Sequence, residues 1–128
     1  MPSLQQTKDQ ERAAQAWRCV EEVKKKGKEF GSKYKSLVQK MPSYILTNGL
    51  GQSLAFLNAK TKGNPLDEHA LLYEHLSNWV RPQVDPTSSQ PLLQWVMNND
   101  SNAYRRATAE ALAFINWLKR FAEAELGE

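Results

Sequence analysis

Two histidines and three acids lie close together in the run DEHALLYEH at 67–75, the part of the chain where a metal site is most plausible by composition. His69 and His75 are six residues apart, so on one helix they point in clearly different directions. A zinc site of the HExxH type needs its histidines four residues apart on one helical face. Three acids of the run have the positions of capping and surface residues near a helix start: Asp67, Glu68 and Glu74. The run therefore predicts neither a metal site nor catalytic carboxylates.

The sequence also gives little support for a catalytic nucleophile or a phosphate-binding loop. Cys19 lies at the margin of an apolar helical stripe, which favours a half-buried, inert thiol over a reactive one. No serine stands in the elbow motif of a hydrolase. The run NGLGQ at 48–52 looks like a glycine-rich phosphate loop, but it lacks the GK[ST] ending and follows no strand. We therefore expect a protein that is not an enzyme, has no cofactor and takes no small-molecule substrate.

Positive charge is concentrated in the first half of the chain, although the net charge of the 128 residues is only +3. Residues 1–62 hold twelve Lys/Arg and five Asp/Glu, a net +7, whereas 63–128 hold five and nine, a net −4. From Lys24 to Lys40, seven lysines stand against Glu29 alone. Such clustering suits a polyanion such as nucleic acid. A solvated helix face explains the same lysines, so charge alone leaves both interpretations open.

Helical periodicity runs through the whole sequence, whose 41% hydrophobic and 24% charged content is ordinary for a globular protein. No credible strand or repeat interrupts it. Spacings of three and four residues predict the buried sides of the first three helices: Ala13, Ala16, Trp17, Val20 and Val23; Phe30, Tyr34, Leu37, Val38 and Met41; Ile45, Leu46, Leu50, Leu54, Phe56 and Leu57. We expect an all-α fold, a single compact bundle of about six helices in one domain over 1–128, with a flexible N-terminus over 1–8.

Capping and breaking residues predict the helix boundaries in the first half. Thr7 with Gln10 offers a capping box at the start of the first helix. Pro42 disfavours helical geometry before it, so we expect a kink or boundary there. Gly49 and Gly51 weaken a helix, and close approach of a neighbouring helix, another subunit or a phosphate chain is expected to offset this cost.

Boundaries in the second half follow from the same signals. Asn64 is expected to cap the fourth helix. Pro82 predicts that this helix stops at Arg81 and that 82–90 is an exposed loop. Two further helices are expected, a short one over 91–98 and a long one from Asp100 or Ser101 to near Leu126.

The last helix combines an apolar arc with a basic one. Its apolar arc predicts a central place in the core: Ala103, Ala107, Ala111, Phe114, Ile115, Leu118, Phe121 and Ala122. The opposite arc carries Arg105, Arg106, Asn116, Lys119 and Arg120, diluted by Glu110 and Glu123, with Trp117 at its border. A basic face edged by an aromatic ring is typical of a subunit or RNA contact, and a solvated face with a packed tryptophan is the alternative.

Membrane and export signals are weak. No charged residue occurs from Met41 through Ala59, but this segment is too polar for the ~20 mostly apolar residues of a spanning helix. The single cysteine and an N-terminal run without an apolar stretch indicate a reducing, cytoplasmic setting. We expect no membrane contact.

Three segments carry a family resemblance: ERAAQAW at 11–17, KYKSLVQKMPSYILTNGLGQSLAFLNAK at 33–60 and AYRRATAEALAFINWLKRFAEAEL at 103–126. Together they resemble the Cmr5 family, the small subunits of the type III-B CRISPR effector, or Cmr complex. Between Thr61 and Asn102 only the helical character is similar. The resemblance implies an all-helical, non-catalytic protein, several copies of which stack beside the RNA-bound backbone subunits and help to hold the duplex of crRNA and target RNA.

The resemblance also points to candidate RNA-contacting residues. Those best supported lie in the matching segments on predicted polar faces: Lys33, Lys40, Arg105 and Arg106. Lys35 and Arg120 come next, whereas the lysines at 24–28 rest on charge alone. Phosphate contacts of this kind make binding salt-dependent and carry no base preference. Three tryptophans are assigned to core or subunit packing: Trp17, Trp79 and Trp95.

Two other classes of protein remain open. A helix-turn-helix regulator is also small, helical and basic, but QSLAFLNAK at 52–60 exposes few side chains that could read bases. A helical adaptor without a nucleic-acid role explains the same core and treats the lysines as solubilising. An adaptor binds no polyanion even at low salt, which separates it from an RNA-holding subunit.

Overall fold

Six α-helices make up the part of the chain that the computed structural model describes, residues 4–61 and 63–126. They are α1 Leu4–Lys24, α2 Lys28–Asn48, α3 Leu50–Thr61, α4 Glu68–Val84, α5 Leu92–Met97 and α6 Ser101–Glu125. The predicted all-α fold is confirmed. Of the N-terminal region expected to be flexible, residues 1–3 lie outside the described part, and 4–8 belong to α1. Within the described ranges, no helix has the length and apolarity needed to cross a membrane.

The core is built around α6, against which α1, α2 and α4 all pack. Phe114 is fully buried and stacks on Trp79 of α4, with ring centroids 5.6 Å apart. Several buried positions of α6 are alanines, which allow neighbouring helices to come close. The buried members of the predicted apolar arc are Ala103, Ala107, Ala111, Phe114, Ile115, Leu118 and Ala122, and Phe121 is half-buried.

Two prolines do not end their helices, so the boundary predicted at Pro82 was wrong, and of the kink or boundary predicted at Pro42 the boundary does not occur. Pro42 lies within α2, which continues to Asn48, and Pro82 lies within α4, which continues to Val84. A helical proline loses one backbone hydrogen bond. Around Pro42, the buried Met41 and Ile45 anchor both sides of the proline in the core, and packing of this kind outweighs local propensity. The loop expected over 82–90 therefore begins at Asp85, whose side chain accepts a hydrogen bond from Trp95 Nε1 at 2.9 Å.

Leu46 was placed in the buried stripe, and this assignment was also wrong. Its side chain is 74% exposed. Because α2 runs unbroken through Pro42, the buried period continues from Met41 to Ile45, and Leu46 falls one residue past it. One residue advances about 100° around an α-helix, which turns Leu46 away from the core.

Two of the predicted N-terminal caps, Thr7 for α1 and Asn64 for α4, are not the caps in the structure. α1 begins at Leu4, so Thr7 lies inside the helix and no capping box starts there. The cap of α4 is Asp67, whose carboxylate accepts a 2.7 Å hydrogen bond from the His69 N–H, whereas Asn64 only closes the preceding turn onto Leu66. Of the two predicted caps of α6, Asp100 and Ser101, Asp100 is the cap, since its side chain accepts from the Ala103 N–H.

Gly49 and Gly51 form the junction between α2 and α3, where the tyrosine of a neighbouring helix approaches them. Gly49 ends α2 with φ +89° and ψ 160°, a conformation that L side chains rarely adopt. The Gly51 N–H donates a 2.7 Å hydrogen bond to the Tyr104 hydroxyl of α6. A Cβ at Gly49 would lie 3.1 Å from that hydroxyl oxygen. Of the three expected partners, the neighbouring helix is the one that the structure shows, and it contacts the glycines through a side chain rather than its backbone.

We predict that Gly49→Ala destabilises the protein more than Gly27→Ala does. Gly27 has a similar backbone, φ 106° and ψ 167°, but open space around its Cβ position. Each substitution forces alanine into a disfavoured conformation at a cost of about 1–3 kcal/mol, and only Gly49→Ala also crowds Tyr104. Urea unfolding of the two variants measures the difference. Equal losses of unfolding free energy would show that the contact with Tyr104 is unimportant.

Candidate nucleic-acid interface

The outer face of α6 carries the exposed arginines that the sequence singled out. Arg105 and Arg106 lie opposite the buried arc and, with Asn102 and Ala109, line a shallow hollow. The Arg106 guanidinium donates a long, 3.5 Å hydrogen bond to the carbonyl of Val84 at the end of α4. Arg105 makes no ion pair with any residue the structure describes. Both cations are therefore available to an anion approaching this face.

Arg120 lies on the same face, about 22 Å further along α6 at 1.5 Å per residue. Its side chain is 75% exposed, and its guanidinium comes within 3.6 Å of the Glu123 carboxylate. Asn116, Trp117 and Lys119 border the hollow beside it. The face thus has cations at both ends, and one acid partly neutralises the C-terminal end.

Lys33 and Lys40 form a second cationic group, on α2. Both are exposed and line one hollow together with Ser36 between them. Glu68 and His69, from the first turn of α4, form its other wall. The structure therefore brings these two predicted lysines together, with an acid in the same hollow.

Lys35 lies apart from both groups. Two residues advance about 200° around a helix, so Lys35 is on the flank of α2 opposite Lys33, and it is half-buried. The six predicted residues consequently form no single surface. The arginines share one face of α6, Lys33 and Lys40 share a hollow on α2, and Lys35 belongs to neither.

Glu110 was expected to dilute the basic face of α6, and that expectation was wrong. The residue is only 7% exposed. Its Oε2 accepts hydrogen bonds from Arg12 Nε at 2.6 Å and from Trp79 Nε1 at 2.8 Å, and its Oε1 accepts from Arg12 Nη2 at 2.9 Å. Burial raises the pKa of Glu110, but these hydrogen bonds outweigh burial, so its pKa lies below the ordinary value. A sequence signal existed, because Glu110 stands three residues after Ala107 and four before Phe114, within the apolar arc.

His75 is the second buried polar residue that sequence reasoning did not place. Its Nε2 lies 3.0 Å from a carboxylate oxygen of Glu22 and its Nδ1 lies 2.7 Å from the Tyr34 hydroxyl. A carboxylate only accepts, so Nε2 carries the proton, and Nδ1 of the neutral ring accepts from Tyr34. Burial lowers the pKa of His75, against the opposing effect of Glu22.

This geometry predicts that stability falls as the pH drops below about 6.5, the ordinary pKa of histidine. Because the pKa of the folded state is lowered, the unfolded chain takes up the proton first, and stability present above pH 6.5 is lost as pH falls towards the folded value. One proton gives a slope of at most about 1.4 kcal/mol per pH unit. Urea unfolding at several pH values measures it in the native chain and in His75→Gln. An unchanged slope in the variant would contradict the assignment to His75.

Residues with metal-ligand or nucleophilic chemistry are engaged in contacts. The ring Nδ1 of His69 lies 2.7 Å from Asp67 and 3.7 Å from Glu68, and these three side chains form a group of the size that could surround a cation. Asp67 already serves as the cap of α4. Cys19 is buried rather than half-buried, and burial raises the pKa of its thiol to about 12, so the thiol is a weak nucleophile near neutral pH.

Comparison with known proteins decides the family. The family model described as CRISPR-associated protein (Cas_Cmr5) matches residues 8–125. The chain belongs to the Cmr5 family. Two relatives bear the name "CRISPR system Cmr subunit Cmr5". The one from Thermus thermophilus is 32% identical over 124 residues, covering 90% of this chain and 96% of the relative. The one from Thermotoga maritima is 32% identical over 120 residues, covering 91% of this chain and 83% of the relative.

The family match covers more of the chain than the three segments in which the sequence resembled the Cmr5 family. The matched range includes the region between Thr61 and Asn102, which had appeared similar only in being helical. It also contains α6 with its three outward arginines and the hollow of Lys33 and Lys40. Both cationic groups thus lie in the part of the chain that is typical of the Cmr5 family.

Proposed function

We propose that this chain is a non-catalytic, structural subunit of a type III-B CRISPR (Cmr) effector complex in the cytoplasm. In this role several copies stack along the complex, contact its backbone subunits and help to hold the duplex of crRNA and target RNA for antiviral defence. The membership in the Cmr5 family carries the proposal, since both relatives are named as subunits of a Cmr system.

The charge distribution supports an RNA contact. Six cations are the proposed contacts: Lys33, Lys35, Lys40, Arg105, Arg106 and Arg120. Five of them are exposed and Lys35 is half-buried. Of the six, Arg120 alone pairs with a described acid, Glu123, whereas Arg12 is held by Glu110 and Lys24 by Glu125. Exposed, unpaired cations can neutralise phosphates, which gives affinity without base preference. Sequence recognition is left to base pairing with the guide, as in other RNA-guided effectors.

Affinity purification of the tagged chain from its native cells tests this proposal. We expect CRISPR backbone subunits to co-purify together with guide RNAs that share a uniform 5′ tag. Recovery of unrelated proteins without RNA would contradict the proposal and favour the helical adaptor. The chain carrying the tag at its other end serves as the control for a tag that blocks assembly.

A further inference from the structure

A continuous strip of cations and aromatic rings crosses α2, α3 and the start of α4. We call it the α2–α4 strip and define it by Lys33, Ser36, Lys40 and Tyr44 of α2, Phe56 and Lys60 of α3, and His69 of α4. The four α2 residues recur at spacings of three and four, so they lie along one helix face. His69 joins the two ends, because it lines the hollow of the lysines and also contacts Phe56.

Three aromatic rings stand next to one another in the strip. The rings of Tyr44 and Phe56 are tilted by 32° with centroids 4.9 Å apart, and His69 meets Phe56 edge-on at 5.9 Å. All three residues are half-buried, so each retains solvent-accessible surface. Lys60 holds its Nζ 5.9 Å from the Phe56 centroid. Partly exposed aromatic rings edged by cations can stack a nucleobase on the accessible face of one ring.

The cations of the strip are free to meet an anion. Lys33, Lys40 and Lys60 are exposed, and none forms an ion pair with a described residue. The two acids nearby, Asp67 and Glu68, lie 2.7 Å and 3.7 Å from the His69 Nδ1, and Asp67 also attracts Lys33 electrostatically, without a direct ion pair. Lys40 and Tyr44 are one helical turn apart, so a phosphate on Lys40 and a base on Tyr44 can belong to neighbouring parts of one strand.

The N-terminal end of the α6 face offers a contrast, whereas the ring of Trp117 lies at the other end, in the hollow beside Arg120. The hollow at Arg105 and Arg106 is completed by Asn102 and Ala109, without an aromatic ring. A paired helix hides the faces of its bases and presents mainly phosphates and sugar hydroxyls, whereas an unpaired strand exposes base faces for stacking. Arginines alone therefore suit a duplex, and the α2–α4 strip suits an unpaired strand.

We propose that the α2–α4 strip binds an unpaired stretch of RNA, with a base stacked on Tyr44 and phosphates on Lys33 and Lys40. This inference rests on the proposed RNA-holding function and assigns the unpaired part of the RNA to a surface separate from the α6 arginines.

Binding of a fluorescent oligouridylate and of a blunt RNA duplex to the full chain at low salt tests the strip. We expect Tyr44→Ala to weaken oligouridylate binding about fivefold or more, the loss typical of one stacked base. The salt slope and the affinity for the duplex stay unchanged. Tyr44→Phe keeps the ring and is the matched control, which binds as the native chain does. Lys33→Ala and Lys40→Ala each reduce the salt slope for the single strand by about 0.7.

A second variant, changed only at the surface, tests the strip even if Tyr44→Ala does not fold. Ser36→Glu places a negative charge between the two lysines, at an exposed position, and should weaken oligouridylate binding. Ala14→Glu makes the same charge change at an exposed position of α1 and should have a smaller effect. Native-like single-strand binding by both Tyr44→Ala and Ser36→Glu would overturn the strip. A native chain that binds neither probe would contradict the RNA-holding role itself.

Discussion

Replacing Glu110 with alanine is expected to lower the free energy of unfolding by about 3–5 kcal/mol, the usual cost of breaking a buried ion pair from one side. The carboxylate joins three helices, since it accepts from Arg12 of α1 and Trp79 of α4 while standing on α6. Its removal leaves the Arg12 side chain, which is 14% exposed, with Asp9 as its remaining acidic partner among the described residues. A whole domain is stable by about 5–15 kcal/mol, so the variant approaches the limit of folding.

Urea unfolding compares Glu110→Ala with Glu123→Ala, which removes an exposed carboxylate from the same helix. The surface variant should change the unfolding free energy by less than about 0.5 kcal/mol. Combining Glu110→Leu with Arg12→Met removes both charges at once and should recover much of the loss. A loss below about 1 kcal/mol for Glu110→Ala would mean that the buried pair does not hold α1 to α6.

Reversing Arg105 and Arg106 together to glutamate should weaken target-RNA binding by the assembled complex at least about tenfold. Each arginine is expected to supply a charge-assisted hydrogen bond to a phosphate, worth about 1.5–3 kcal/mol, and tenfold corresponds to about 1.4 kcal/mol. Two lost phosphate contacts should also reduce the salt slope of binding by about 1.4–1.8. Helicity should persist, because both side chains are exposed and neither is part of the core.

The matched control is the pair Arg18→Glu and Lys25→Glu, two exposed positions of the chain outside the proposed contacts. It changes the net charge by the same amount. Filter binding across a salt series, with helicity followed by circular dichroism, separates a local contact from a general effect of charge. Equal losses in the two double variants would assign the effect to net charge, and native affinity in the first would remove Arg105 and Arg106 from the interface.

The sequence predicts the helices well where apolar spacing and packing agree. The apolar arc of α6 and its Asp100 cap were readable because they depend on residues close together in the chain. The prolines misled the boundary predictions because local propensity does not include the packing of Met41 and Ile45 on the core. The burial predicted for Leu46 was wrong for the same reason, because its exposure depends on α2 continuing past Pro42.

Most structural features that could not be predicted from the sequence are contacts between residues far apart in the chain. Tyr104 reaches Gly51 from a helix 53 residues further on, and the Arg12 partner of Glu110 is 98 residues away. Nothing in the local pattern names such partners. The candidate RNA contacts were chosen from the family resemblance and from helical spacing, and five of the six are exposed. Their division between α2 and α6 depends on how those two helices pack, which the sequence does not show.

The most direct test of the RNA-holding role measures target-RNA affinity and its salt dependence for the complex assembled with and without this chain. We predict that the complex without the chain still selects its target by guide pairing, while its affinity drops and its salt slope becomes shallower, since phosphate contacts are lost. Identical affinity and identical salt slope for the two assemblies would contradict the proposal that this chain holds RNA.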